Sequence, residues 1–238
     1  MCRRFIFIHL YTLHFYSLQI KCIQCMEDLM KTIAILSGKG GTGKTTVAVH
    51  LAVASVQAGR STAVIDLDPQ PSARMWKDAR TAEMPVVVSA QAARLDDVLQ
   101  TAEAEGVEWV IIDTAPHAEA AALAAARAAD VVLIPCRPAI FDLRGIATTV
   151  DLVRLADVPA LAVLNAVPAR GRRAAEATDA LLSYDLPTAP CQLGHRVAYV
   201  DAVTAGLTAQ EADPKSKASK EILSLYNYIN QHIQHIGV

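Results

Sequence analysis

Charge of neither sign prevails in this chain of 238 residues: 22 Lys and Arg stand against 24 Asp and Glu, for a formal net charge of −2. Nothing global therefore draws it to nucleic acid or to an acidic membrane, and any such binding has to come from a local basic patch. Cysteine is scarce as well. The five present, Cys2, Cys22, Cys25, Cys136 and Cys191, form no framework, and an odd count in a chain of this size points to reduced thiols in a cytosol. Cys22 and Cys25 make a lone C-x-x-C with no second pair and no His at zinc spacing, which excludes a zinc site there. Internal repeats and low-complexity linkers are missing too. The length suits one α/β domain with a well-buried core.

The first 29 residues contain no Gly, Ala, Val or Pro, yet hold three of the five Cys and three of the four Phe. Basic residues precede an apolar run, as in a signal peptide, but His9, Thr12, His14 and Ser17 interrupt it and no small-residue cleavage site follows. It is also too short and polar to span a bilayer. Residues 1–29 therefore read as an extension, disordered or non-native, ahead of a single domain at 30–238.

From Lys31 the pattern is regular. Apolar runs at TIAILS (32–37), STAVIDLD (61–68), PVVVS (85–89), EWVIID (108–113), DVVLIP (130–135) and ALAVLNA (160–166) read as strands. Helical stretches separate them: TTVAVHLAVASVQAG (45–59), 91–106, the Ala-rich 118–130 and 139–156. Strand and helix alternation predicts a doubly wound α/β domain, a mostly parallel sheet with helices on both faces. Ligands then belong at the carboxyl ends of the strands.

The stretch GKGGTGKTT (38–46) lies between the first strand and the first helix. Gly38, Gly43, Lys44 and Thr45 satisfy G-x-x-x-x-G-K-[ST], in which glycines let successive N–H groups curl around an anion at a helix N-terminus. Lys44 would neutralise the β and γ phosphates of ATP, and the Thr45 hydroxyl would ligate Mg²⁺. Two later strands end in acid, Asp66 with Asp68 in VIDLDPQ and Asp113 in WVIIDTAP. Any one of these could be a helix cap or turn residue. Three carboxylates at strand ends beside a glycine loop read instead as a Mg²⁺ and water-positioning set.

These motifs resemble a family. KGGTGKTT (39–46), DLDPQ (66–70) and VIIDTAP (110–116) look like the deviant phosphate-loop ATPases of the ParA/MinD class, with the P-loop NTPase fold. VLNAVPARG (163–171), LGHRVAYVDA (193–202) and PKSKASKEI (214–222) look more specifically like small ParA-type plasmid-partition ATPases. The resemblance implies a nucleotide cradle of Gly38, Lys39, Gly40, Gly41, Thr42, Gly43, Lys44, Thr45 and Thr46. It also implies that Lys39, the second lysine, reaches across a face-to-face homodimer to the partner's ATP, where it would otherwise be a solvated surface lysine. Asp68 would position the attacking water, Asp66 would support the Mg²⁺ environment, and Asp113 would hold Mg²⁺ through its water shell. Asn165 matches a residue that reads adenine, with a buried, satisfied asparagine as the rival reading. Relatives often have Gly after DPQ where this chain has Pro71, which suits a first helical turn and stiffens the loop.

The same resemblance assigns non-specific DNA contact to Arg196, extended by Lys215, Lys217 and Lys220, though three lysines in six residues also fit a solvated helix start. It implies a cytoplasmic, partly nucleoid-associated switch: ATP closes the dimer, the dimer binds DNA, and a ParB-like centromere-binding adaptor stimulates slow hydrolysis. The alternatives are a MinD-like or other cargo-positioning ATPase. A membrane role would need basic residues beside an apolar helix face, and EILSLYNYINQHIQHIGV has no Lys or Arg. A nitrogenase-type iron protein would need a second cysteine paired with Cys136, which the pattern lacks.

Overall fold

The computed structural model describes residues 30–70, 72–139 and 145–236. The expected extension at 1–29, Pro71 and the start of the 139–156 helix lie outside these residues. Six parallel strands form one sheet: β1 (Lys31–Ile35), β2 (Thr62–Asp66), β3 (Val86–Ser89), β4 (Trp109–Asp113), β5 (Val131–Cys136) and β6 (Ala160–Leu164). Their spatial order is β3-β2-β4-β1-β5-β6. β2, β4 and β5 are buried along their whole length, which is why they read as unbroken apolar runs. Edge strand β3 is short and leaves Val86 and Val88 exposed.

From β1 and β2 the chain moves toward the β3 edge through α1 (Lys44–Gln57) and α2 (Ser72–Asp78). From β3, β4 and β5 it moves the other way through α3 (Leu95–Ala104), α4 (Glu119–Arg127) and α5 (Ala147–Ala156). Right-handed crossovers put these two groups on opposite faces. Adjacent strands β1 and β4 thus send their helices to opposite sides, and a crevice opens between their carboxyl ends. There Asp66, Asp113 and Ile35 stand side by side as register partners on β2, β4 and β1.

Helix α1 is the axis of its face. Val47, Ala48, Val49, Leu51, Ala52, Val53 and Ala54 are buried on every side, between the sheet and the final helix α9 (Lys217–Ile236). Ala218, Ile222, Leu225, Tyr226, Ile229 and Ile233 recur at helical spacing on α9, and all are buried in the core. The apolar stripe of this terminal helix is thus spent on the protein's own interior. Arg60 fastens it, donating to the Tyr226 hydroxyl and the Asn230 amide oxygen, both at 3.2 Å. Three further helices, α6 (Arg173–Leu182), α7 (Val197–Thr204) and α8 (Ala209–Ala212), complete the fold. None of the described helices is long and apolar enough to cross a membrane.

Among the polar side chains that sit fully inside is a histidine. His50, at 0% exposure on α1, accepts the Ala209 N–H on Nε2 at 3.1 Å, so its proton lies on Nδ1, 2.7 Å from the Thr46 carbonyl. Burial pushes its pKa down to about 4. The unfolded chain, whose imidazole titrates near 6.5, therefore takes up a proton before the folded one, and stability is lost as pH falls from 6.5 toward 4. Between pH 7 and pH 5 this contributes a loss of about 2 kcal/mol. Because the raised Asp113 carboxyl shifts stability the opposite way over the same range, the expected result of urea unfolding at the two pH values is a difference: going from pH 7 to pH 5, the wild type fares worse by about 2 kcal/mol than His50→Asn, which has no proton to gain.

Candidate nucleotide site

The loop from Ser37 to Gly43 turns back over the end of β1 and delivers the chain into α1. Its first helical bond runs from the Val47 N–H to the Gly43 carbonyl at 2.9 Å, so the amides of Lys44, Thr45 and Thr46 precede any intrahelical acceptor. Such a terminus favours an anion. Gly43 has φ 96°, and a Cβ there would lie 2.2 Å from Asn165 Nδ2, so only glycine fits.

Side chains from β5, β6 and α5 grip the loop from outside. Asn165 Nδ2 donates to the Thr42 carbonyl at 2.7 Å, Arg137 donates to the Gly41 carbonyl, and Thr149 Oγ1 accepts the Gly38 N–H at 3.1 Å. Asn165 uses its Oδ1 on the Ala166 N–H at 2.8 Å. One N–H and one lone pair of its amide thus hold the chain, as in the rival reading of a satisfied asparagine, and the second N–H and second lone pair remain for another partner such as a base. Arg137 and Thr149 escaped the sequence reading. The position of Arg137 just past a buried strand, in IPCRP, was the available signal.

Lys44 is 7% exposed and its Nζ donates to the Ser37 and Lys39 carbonyls, both at 3.4 Å. Burial lowers its pKa, opposed by the charges of Asp113 and Asp68. Thr45 Oγ1 donates to Asp113 Oδ2 at 2.5 Å, while Asp113 Oδ1 is buried without a partner among the described residues. Burial pushes the Asp113 carboxyl up to about 7, and the charges of Asp66 and Asp68 add to the rise against the Thr45 bond and Lys44. A buried carboxylate with an orphaned oxygen and like charges around it is short of a cation. Among the described residues no three His, Cys, Asp or Glu converge as a metal cage.

Asp66, expected to support the Mg²⁺ environment, has both oxygens on backbone N–H groups. Its Oδ1 accepts the Asp68 N–H at 3.1 Å, and its Oδ2 accepts the Ala73 and Arg74 N–H groups at 3.0 and 3.2 Å. It caps α2 and spans the loop, so its support of the metal environment is indirect. Asp68 sits between those anchors, half-buried, with Oδ1 accepting the Gln70 N–H at 2.8 Å. Lys39 is exposed and lines a cleft of about 290 Å³ with His117, Glu119, Thr148 and Leu152.

Arg196 is not brought into an open cationic patch. Its guanidinium lies along Glu221, with Nε 3.0 Å from Oε2, and the Gly194 N–H and Tyr199 hydroxyl donate to the same carboxylate. Glu221, 25 residues downstream, neutralises it. Lys215, Lys217 and Lys220 remain exposed around the start of α9.

A glycine loop at the switch point of a parallel sheet, holding a buried lysine and a threonine against a strand-end carboxylate, defines a phosphate-loop nucleotide-binding domain. Residues 33–231 match the CbiA family, described as the CobQ/CobB/MinD/ParA nucleotide binding domain, and the chain belongs to that family. Protein IncC of Escherichia coli is 30% identical over 85% of this chain and 70% of its own length. Maintenance of carboxysome distribution protein A of Gloeobacter kilaueensis is 40% identical over 122 residues, so the chain spans about half of that relative, 55% of its length and 50% of this chain. The septum site-determining protein MinD of Pyrococcus horikoshii, solved with Mg-ADP, matches 87% of this chain and 99% of its own with a TM-score of 0.72. At 18% identity that likeness is one of fold.

Two substitutions test the cradle. Gly43→Ala forces a positive φ and a clash with Asn165, and nucleotide binding is expected to fall at least tenfold, roughly 1.4 kcal/mol. Asn165→Ala removes one hydrogen bond from the loop, about 1 kcal/mol, and should weaken ADP and GDP alike by about fivefold. Titration with fluorescent analogues of both nucleotides checks this, and a loss confined to ADP would return Asn165 to reading adenine.

Proposed function

We propose that residues 30–238 form a single ATPase domain of the ParA type, which closes as a homodimer on ATP and Mg²⁺ and binds DNA without sequence preference. A ParB-like adaptor stimulates its hydrolysis, and the cycle drives segregation of a plasmid or chromosome in the cytoplasm. The observation that carries this reading is the division of labour between two lysines of one loop: Lys44 is buried inside its own cradle, whereas Lys39 is exposed beside a cleft.

Thr45 and the Asp113 carboxylate would hold Mg²⁺, Asp113 through the ion's water shell. The ion neutralises charge on the β and γ phosphates. Lys44 and the amides of 43–46 bind the same phosphates. Asp68, fixed between β2 and α2, orients the attacking water, and Lys39 completes the partner's site in trans. Positioning of another cargo is supported by the carboxysome-distribution relative and uses the same switch with a different adaptor. A MinD-like membrane anchor has less support, because the apolar stripe of α9 is buried in the core.

The two lysines should fail differently. Lys44→Ala is expected to lose nucleotide binding outright, while Lys39→Ala binds ADP as the wild type does and no longer dimerises with ATP. Sedimentation velocity with ATP and with ADP separates them, and a Lys39→Ala protein that dimerises normally would overturn the trans assignment. DNA binding is expected with ATP alone and for any sequence, falling with salt by about 0.9 in log–log slope per phosphate neutralised. Replacing Lys215, Lys217 and Lys220 together by Ala should flatten that slope, whereas Arg196→Ala should change it little, since Glu221 already balances that charge. Binding of two unrelated duplexes across a salt series reads both effects.

A further inference from the structure

His50 and the corner at residues 206–211 belong to none of the roles assigned so far, yet they are tied to both halves of the nucleotide site. On one side the corner is pinned to α1. Ala209 donates its N–H to His50 Nε2 at 3.1 Å, and Gln210 Nε2 donates to the His50 carbonyl at 2.8 Å. All of this is buried. On the other side the corner is pinned to α2 and the turn after it. Trp76 Nε1 donates to the Leu207 carbonyl at 3.0 Å, and Arg80 donates to the Gly206 carbonyl at 3.2 Å and to both Glu211 oxygens at 2.9 and 2.6 Å. Gly206 presses so closely on this turn that a Cβ would lie 2.4 Å from the Ala79 carbonyl oxygen. The Thr208 hydroxyl and N–H are both donated to Glu211 at 2.9 Å, which stiffens the corner itself.

Helix α2 is in turn the far anchor of the Asp68 loop, because its Ala73 and Arg74 amides are held by Asp66. The path therefore runs from the phosphate-loop helix through His50, the corner and α2 to the loop that carries Asp68. The phosphate loop has its own fastening on the opposite side, through Arg137, Asn165 and Thr149. We infer that His50 and the 206–211 corner form a positioning strut that fixes Asp68 relative to the phosphate cradle, and so serve the hydrolytic step rather than nucleotide binding. The inference rests on the ATPase reading for its kinetic consequence and on geometry alone for its structural one.

The strut sets two separable expectations. His50→Leu removes both side-chain bonds, and kcat for ATP should fall about tenfold or more, as displacement of a reacting group commonly costs. Affinity for ADP should stay within about twofold, since the cradle is held from elsewhere. His50→Asn, whose amide offers one donor and one acceptor, should recover most of the rate. Gln210→Met should lower kcat in the same direction by less, and it provides the reading if His50→Leu does not fold. Hydrogen exchange gives a readout independent of turnover: the Ala73 and Arg74 amides should exchange faster in His50→Leu and Gln210→Met, with Gly38 unchanged. A wild type that binds ATP without hydrolysing it would count against the ATPase reading, and the exchange experiment would still decide the strut. Exchange at 73 and 74 unaltered in folded variants would overturn the strut, as would rate and ADP affinity falling together or a failure of Asn to rescue.

Discussion

The hydrogen bond from Thr45 to Asp113 joins the first turn of α1 to the end of β4, and the rest of the site is arranged around it. Its cost is evident in the surroundings. Asp113 is fully buried with one oxygen unpartnered, beside Asp66 as its register neighbour, and its carboxyl is pushed up to about 7. Within the cradle the Thr45 hydroxyl and the Lys44 charge answer it, and Lys44 is itself lowered by burial. A pocket with this balance gains most from an ion that brings positive charge together with further oxygen ligands, which is what a divalent cation on a polyphosphate supplies.

Around that bond the protein builds a cradle held from outside and a loop held from two ends. Carbonyls at 41 and 42 are gripped by Arg137 and Asn165, which leaves the helix-start amides to face an anion. Asp68 hangs between Asp66 and the N-terminus of α2. In the proposed ATPase the separate fastenings would let binding and hydrolysis depend on different residues.

Much of this architecture was legible in the chain. Buried parallel strands write themselves as continuous apolar runs, and the positive φ demanded at Gly43 and Gly59 punctuates α1 at both ends. The phosphate loop and strand-end acids were legible because their chemistry depends on neighbours in sequence. What was hidden depends on long-range pairing. Asn165 meets Thr42 across 123 residues, His50 meets Ala209 across 159, and Arg196 finds Glu221 across 25. No periodicity encodes these. The ion pair that Arg196 makes with Glu221 and the grip of Asn165 on the loop were therefore not legible in the sequence. Helices α6, α7 and α8 were not among the stretches read as helical; α7 and α8 are short, at eight and four residues, whereas α6 is as long as α3 and α5.

The proposed dimer requires a composite site, in which Lys39 of one subunit would complete the nucleotide pocket of the other. Mixing two inactive variants tests this most directly. A Lys39→Ala subunit retains its own cradle but has no lysine to offer, and a Lys44→Ala subunit has no cradle but keeps Lys39. Their heterodimer holds one complete site, so ATP turnover of the mixture should rise well above the sum of the two variants assayed alone. Turnover no greater than that sum, with heterodimers present in the mixture, would contradict a lysine acting across the interface.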